Sequence, residues 1–291
     1  MSDSQTHLSL LPRLGDPAYL DGHLIAVKVL RDLDRFDWYD SVFLRRFEAA
    51  KAFLALAAPE KLAYFVDGFS ILKPSPDFTP AVIDDLLDDA GHAAVKMEMA
   101  GIAHDKLEKH EISSFGRYVV HDHAPFIDLQ RKLLPLASRL AGRELETGYN
   151  FLSRYGNAGR CDPHMDQPIS MYTLDYCISQ TVDWPIHFSQ IVEWPSAAGG
   201  PQSGADAIAD PQIRFEPIAL RPNKAVFFCG SSQWHYRDAM PDNGNCDLLF
   251  FHYFPAGCSM LVNPSGWIEH FDLPELQPLF DLLDGRLSQA R

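Results

Sequence analysis

The 291-residue chain is 46% apolar and 22% charged, a balance that supports a full globular core and argues against disorder. Its 39 acidic against 25 basic residues give a formal charge of −14, which makes a nucleic acid or an acidic membrane surface an unfavourable partner. No apolar run approaches the roughly 20 residues of a membrane span, and the opening MSDSQTHLSLLPRL lacks a secretory pattern, so a cytoplasmic protein is expected.

Residues 1–145 read as mainly helical. Ser41 to Ala58 repeats apolar residues at three- and four-residue steps in good helix formers and is stopped by Pro59. A second helix is expected over Pro80 to Ala90, with Thr79 as its cap and the DDLLDDA stretch from Asp84 as a solvated face. A third spans Pro125 to Ala141 and ends at Gly142. Ala93 to Ala103 and Ser113 to Val120 fit helix and strand equally.

From Gly148 onward the pattern changes to short β-branched and aromatic runs punctuated by Gly, Pro, Asn and Asp. Strands are expected at Asn150 to Tyr155, Pro163 to Gln167, Met171 to Ser179, Ile186 to Val192, Ile213 to Leu220, Ala225 to Cys229, Gln233 to Arg237 and Leu248 to Phe254. No helix long enough for a parallel crossover lies between them, so the spacing predicts an α+β fold: a double-stranded β-helix, or jelly roll, with a mainly helical N-terminal half packed on it. The boundary near residue 145 separates that half from a core over 146–291, the two forming one integrated domain. Ser196 to Asp210, rich in Gly, Ala and Ser, reads as a mobile loop at the barrel rim. Leu273 to Leu287 reads as a closing helix. The five cysteines are odd in number and form no CxxC pair, as expected of free, mostly buried thiols.

Within this frame His164 and Asp166 stand one residue apart. If their segment is extended, both side chains leave the same face, and His235 is the best third partner. Two imidazoles and one carboxylate on one side of an ion leave its other positions open, which suits O2 chemistry at non-haem Fe(II). Taken alone, an HxD pair is a weak signal. Its setting strengthens it, because it follows a strand and a glycine-containing turn, and His235 lies on the penultimate strand.

The string RYGNAGRCDPHMD, ending at Asp166, resembles the iron-binding stretch of the prolyl-4-hydroxylase-like branch of the Fe(II)/2-oxoglutarate-dependent dioxygenases. The string LRPNKAVFFCGSSQWHYRDAMPDNGNCDLLFFHYFP is similar to the end of that fold, where an apolar strand and a Gly turn lead to the distal His. The resemblance covers about residues 148–256. It implies that His164, Asp166 and His235 hold iron and that the enzyme uses 2-oxoglutarate and O2. The implied reaction couples oxidative decarboxylation to succinate with hydroxylation of a C–H bond in a small molecule such as an amino acid or natural-product intermediate. Asp166 fills the position that is small in halogenating relatives, which favours hydroxylation; desaturation and ring closure use the same ligands.

Relatives anchor the distal carboxylate of 2-oxoglutarate with a cation near the start of the last strand. Here Gly244 to Leu249 holds none. Arg237, two residues after His235 and on the same strand face, is the candidate clamp, unless it pairs with Asp238 or Asp166. Arg154 points outward if Phe151 and Tyr155 face the core, and Lys224 falls in a turn. Tyr155 is either a cosubstrate contact or a core residue. His252 is either a satisfied core histidine or a polar group reaching the pocket. His121 and His123 read as loop or cap residues, His187 faces either way, and Trp184, Trp194 and Trp234 read as core or pocket wall. Two other functions fit the same residues: oxidation of an iron-chelating substrate without 2-oxoglutarate, and a non-catalytic jelly-roll binding protein.

Overall fold

A computed structural model describes residues 13–33, 36–196 and 198–287, so part of the opening segment read for a signal lies outside the described residues. Helices α1 (Pro17–Asp32), α2 (Val42–Ala57) and α3 (Pro59–Gly68) come first. In α2 the buried residues Phe43, Leu44, Phe47, Ala50, Phe53 and Leu54 recur at helical spacing, so one stripe of the helix enters the core. The C-terminal α8 to α10 (Ser259–Val262, Trp267–Phe271, Gln277–Leu287) meet this stripe, and the Trp267 ring lies 5.2 Å from Phe43 and 4.9 Å from Phe69.

The expected helix over Pro80 to Ala90 is not formed. Val82 and Ile83 instead belong to strand β1 (Ala81–Ile83), paired with Val226 and Ala225, and the helix α4 runs over Asp89–Gly101. Tertiary contacts override the local reading. Asp85 sits at φ 50, which a helix cannot accommodate, and the Asn223 amide grips Leu87 by accepting from its N–H and donating to its C=O. The carboxylate of Asp88, not Thr79, caps α4 by accepting from Gly91 N at 2.7 Å. Asp88→Ala is therefore expected to cost about 1 kcal/mol in urea unfolding, and Thr79→Ala close to nothing.

Ala93 to Ala103 resolves as helix. Ser113 to Val120 splits between α5 (Ile112–Phe115) and strand β2 (Arg117–His121), divided by Gly116 at φ +67. The helix α6 (Ala124–Ala141) ends at Gly142 in the same left-handed conformation.

Eight further strands follow: β3 (Leu145–Tyr155), β4 (Cys161–His164), β5 (Tyr172–Gln180), β6 (Ile186–Ser189), β7 (Phe215–Ile218), β8 (Ala225–Phe228), β9 (His235–Arg237) and β10 (Cys246–Pro255). They form two antiparallel sheets, ordered β1-β8-β5-β10-β3-β2 and β4-β9-β6-β7. Phe151, Leu248 and Phe250 of the first sheet share one apolar layer with Ile186 and Phe188 of the second. The outer face of the first sheet packs on α4 and α6 through Leu152, Leu174 and Phe251.

The segment read as a mobile loop contains helix α7 (Gly204–Ala209). Ser203 caps it, Ala207 is fully buried, and Gly204 lies so close to β4 that a Cβ would stand 2.3 Å from Pro163 O. The cap and this close approach seat α7 against β4.

Candidate metal centre

β4 and β9 pair with His164 opposite His235, and their ring centroids lie 4.2 Å apart. The expected strand ends at His164, so Asp166 is not placed by strand alternation. Its backbone N–H donates to Gly230 O at 2.9 Å, which turns the carboxylate back towards both rings. Asp166 Oδ1 lies 3.5 Å from His164 Nε2 and 3.6 Å from His235 Nε2. The three ligand atoms lie within 4.8 Å of one another, and no other group of three such residues does so among the described residues.

The tautomers suit a metal. His164 Nδ1 donates to Asp162 O at 2.9 Å, and His235 Nδ1 donates to Gln233 O at 3.0 Å. With each Nδ1–H held by a carbonyl, each Nε2 is the nitrogen left able to coordinate an ion. Burial by itself would raise the Asp166 carboxyl, but His235 and His164 outweigh it and hold it well below the usual range. Burial and the adjacent His164 push His235 down, so its imidazole is neutral. For His164 burial works downward, yet Cys161 and Asp166 raise it well above an ordinary histidine, and an ion would displace that proton. Two imidazoles and an ionised carboxylate fit Fe(II).

Gly230 makes the geometry possible, since a Cβ there would stand 2.0 Å from Asp166 Oδ2. Gly230→Ala must push the carboxylate away. It is expected to weaken metal binding about tenfold or more, within the range for residues that orient ligands, as read by anaerobic Fe(II) titration.

The cavity over these residues has an aromatic wall of Tyr149, Phe151, Phe250 and His252, and two buried cations, Arg117 and Arg237. Arg237 does point inward from β9, but its partner is neither Asp238 nor Asp166. Its Nη2 donates to Asp175 Oδ2 at 2.8 Å, its Nη1 donates to Trp184 O, and its guanidinium lies 4.9 Å over the Trp184 ring. Asp238 instead faces His187, 3.3 Å away. Tyr155 is buried between the cations and accepts from Arg117 Nη1 at 2.7 Å, while Arg117 Nε donates to Glu111. Arg154 pairs with Asp247, and Lys224 lies 3.5 Å from Asp84.

Arg117, Glu111, Thr173 and Asp175 were not found from sequence. A signal existed for Asp175: it stands in the apolar run YTLDYCIS, where a buried acid needs a cation. Arg117 left none, lying in a stretch that read equally as helix. His121 and His123 turn to separate partners, Glu108 at 3.1 Å and Glu98 at 2.7 Å, and do not form a ligand pair. Trp184 and Trp234 are buried, and Trp194 donates to Ser231 O.

No protein-family model matches the chain, and no curated protein does. Solved structures similar to it include HygX from Streptomyces hygroscopicus with nickel and 2-oxoglutarate bound, at 11% identity over 67% of this chain and 87% of that one, with a TM-score of 0.48. The epimerase SnoN, in complex with Fe3+, alpha-ketoglutarate and nogalamycin RO, matches at 17% identity over 68% and 85%, with a TM-score of 0.49. EctD from S. alaskensis with 2-oxoglutarate and 5-hydroxyectoine matches at 13% over 60% and 72%, with a TM-score of 0.46. These TM-scores all lie below 0.5.

Proposed function

We propose that the chain is a non-haem Fe(II)/2-oxoglutarate-dependent oxygenase that hydroxylates an unactivated C–H bond of a small molecule. The observation that carries this reading is the convergence of His164, Asp166 and His235 within 4.8 Å, with both histidines presenting Nε2. The two antiparallel sheets support a jelly-roll core, and the sequence resemblance over residues 148–256 supports its prolyl-4-hydroxylase-like type. Bound Fe(II), with 2-oxoglutarate and O2, would supply oxidative decarboxylation to succinate and CO2 coupled to hydroxylation.

The protein's own residues do the remaining work. His164, Asp166 and His235 would hold the ion through two imidazole nitrogens and a carboxylate oxygen. Arg237 would hold the distal carboxylate of 2-oxoglutarate, with Tyr155 as a further contact; the support is that both are buried and line the cavity. The aromatic wall keeps water from the reacting carbon. A cavity lined by buried aromatic residues suits a small substrate, and the acidic chain disfavours nucleic acid. No described helix is long and apolar enough to cross a membrane. Because α1 to α3 share one apolar cluster with the C-terminal helices, we expect residues 1–145 and 146–291 to unfold in a single transition.

One observation favours a second reading. Arg237 is already engaged by Asp175 and Trp184, and Gly244 to Leu249 offers no cation, which would suit an oxygenase whose substrate chelates iron without 2-oxoglutarate. Anaerobic loading with Fe(II) and 2-oxoglutarate, followed by O2, separates the readings. Succinate formation supports the first. Its absence, together with no charge-transfer absorption on adding 2-oxoglutarate, moves the assignment to the second, and failure to bind Fe(II) at all leaves a non-catalytic binding protein.

A further inference from the structure

His252 lies on β10, 3% exposed, in the wall of the cavity that contains His164, Asp166 and His235. Its Nδ1 is 2.9 Å from Thr173 Oγ1, while its Nε2 has no hydrogen-bond partner. A buried imidazole nitrogen without a partner costs about 1–3 kcal/mol, so such an atom in a cavity wall points to a ligand.

Thr173 gives the Nδ1–H tautomer of His252 a complete chain of hydrogen-bond partners. Its hydroxyl faces two acceptors, Asp166 Oδ2 at 3.4 Å and Ser170 O at 3.5 Å. In that tautomer the hydroxyl hydrogen goes to one of these two acceptors. Thr173 Oγ1 then accepts from His252 Nδ1–H, which leaves Nε2 as a bare acceptor. Burial pushes His252 down to about 4, so the ring stays neutral near pH 7. Around it stand the rings of Tyr149 at 4.4 Å, Phe151 at 5.5 Å and Phe250 at 6.4 Å between centroids.

We propose that His252 Nε2 receives an O–H or N–H group of the substrate, whose apolar, ring-sized body lies against Tyr149, Phe151 and Phe250. This rests on the reading of the cavity as the substrate chamber of an oxygenase. His252 is then a specificity-determining residue: it selects hydroxyl- or amine-bearing molecules over acceptor-only ones, and Thr173 ties its orientation to a metal ligand.

The test uses the full chain labelled with 15N-histidine, loaded with Zn(II) and 2-oxoglutarate and followed by long-range 1H–15N correlation. Phenol, benzylamine and toluene serve as probes. His252 Nε2 is expected at the shift of an unprotonated ring nitrogen, moved by phenol or benzylamine and left in place by toluene. A response to phenol assigns the hydroxyl class, and one to benzylamine the amine class. The responding donor should bind about two- to tenfold more tightly than toluene, the range of one net hydrogen bond, and His252→Phe should erase that preference.

A proton on Nε2 in the unliganded protein, or equal affinity for all three probes, overturns the proposal. So does a preference that persists in His252→Phe. The nitrogen shift is read on wild type, so the result stands even if the variant fails to fold. Zinc titration is scored separately: if wild type binds no zinc, the metal assignment falls, and the same probes on the metal-free protein still decide whether His252 is the acceptor.

Discussion

Arg237→Ala is expected to lower the unfolding free energy by about 3–5 kcal/mol, the cost of breaking a buried ion pair from one side. Asp175 is fully buried, its Oδ2 is bonded to Arg237 at 2.8 Å, and its Oδ1 has no partner. Without the guanidinium, a carboxyl that burial already pushes up would lose the cation that pulls it back. Trp184 would lose both a donor to its carbonyl and the cation over its ring. A urea midpoint unchanged from wild type would show that the pair contributes nothing to stability.

The same substitution cannot cleanly measure a role in binding, so a second variant is needed. Arg237→Met with Asp175→Leu replaces the pair by apolar side chains and should return stability to near that of wild type. If Arg237 clamps the distal carboxylate, this double variant still binds 2-oxoglutarate more weakly by about 1.5–3 kcal/mol, the range for hydrogen bonds to charged groups. Equal affinity in wild type and the stable double variant would move the clamp elsewhere, and Arg117 is the other buried cation on the cavity wall.

Asp166→Ala is expected to weaken Fe(II) binding by about 100-fold or more, since it removes a ligand outright and losing a mere orienting neighbour already costs 10- to 100-fold. It removes the charge between the two imidazoles, whose Nε2 atoms lie 3.5 and 3.6 Å from Asp166 Oδ1. Anaerobic titration reads the result. Fe(II) affinity equal to that of wild type would mean that the three groups do not share an ion, and the oxygenase assignment would go with it.

Local chemistry was enough to read several parts of this molecule. The α2 stripe and the Gly142 stop on α6 follow from helical spacing and from glycine's freedom at positive φ, and strands such as β5 and β10 follow from β-branched and aromatic runs. The meeting of His164, Asp166 and His235 in one place was also legible, because imidazole and carboxylate are the residue types that suit a borderline divalent ion.

Other features depended on partners far away in the chain. The segment after Pro80 joined a sheet because β8 offered an edge and Asn223 gripped Leu87, neither of which is visible locally. Asp166 reaches its site through a backbone bond to Gly230, not through strand alternation. The pairing of Arg237 with Asp175, the placement of Arg117 beside Tyr155 and the partnerless nitrogen of His252 all arise where β2, β3, β5, β9 and β10 come together. Periodicity determines which face of an element is apolar; which charges meet inside is decided by the cost of burying them unpaired, and that is set only when the sheets close.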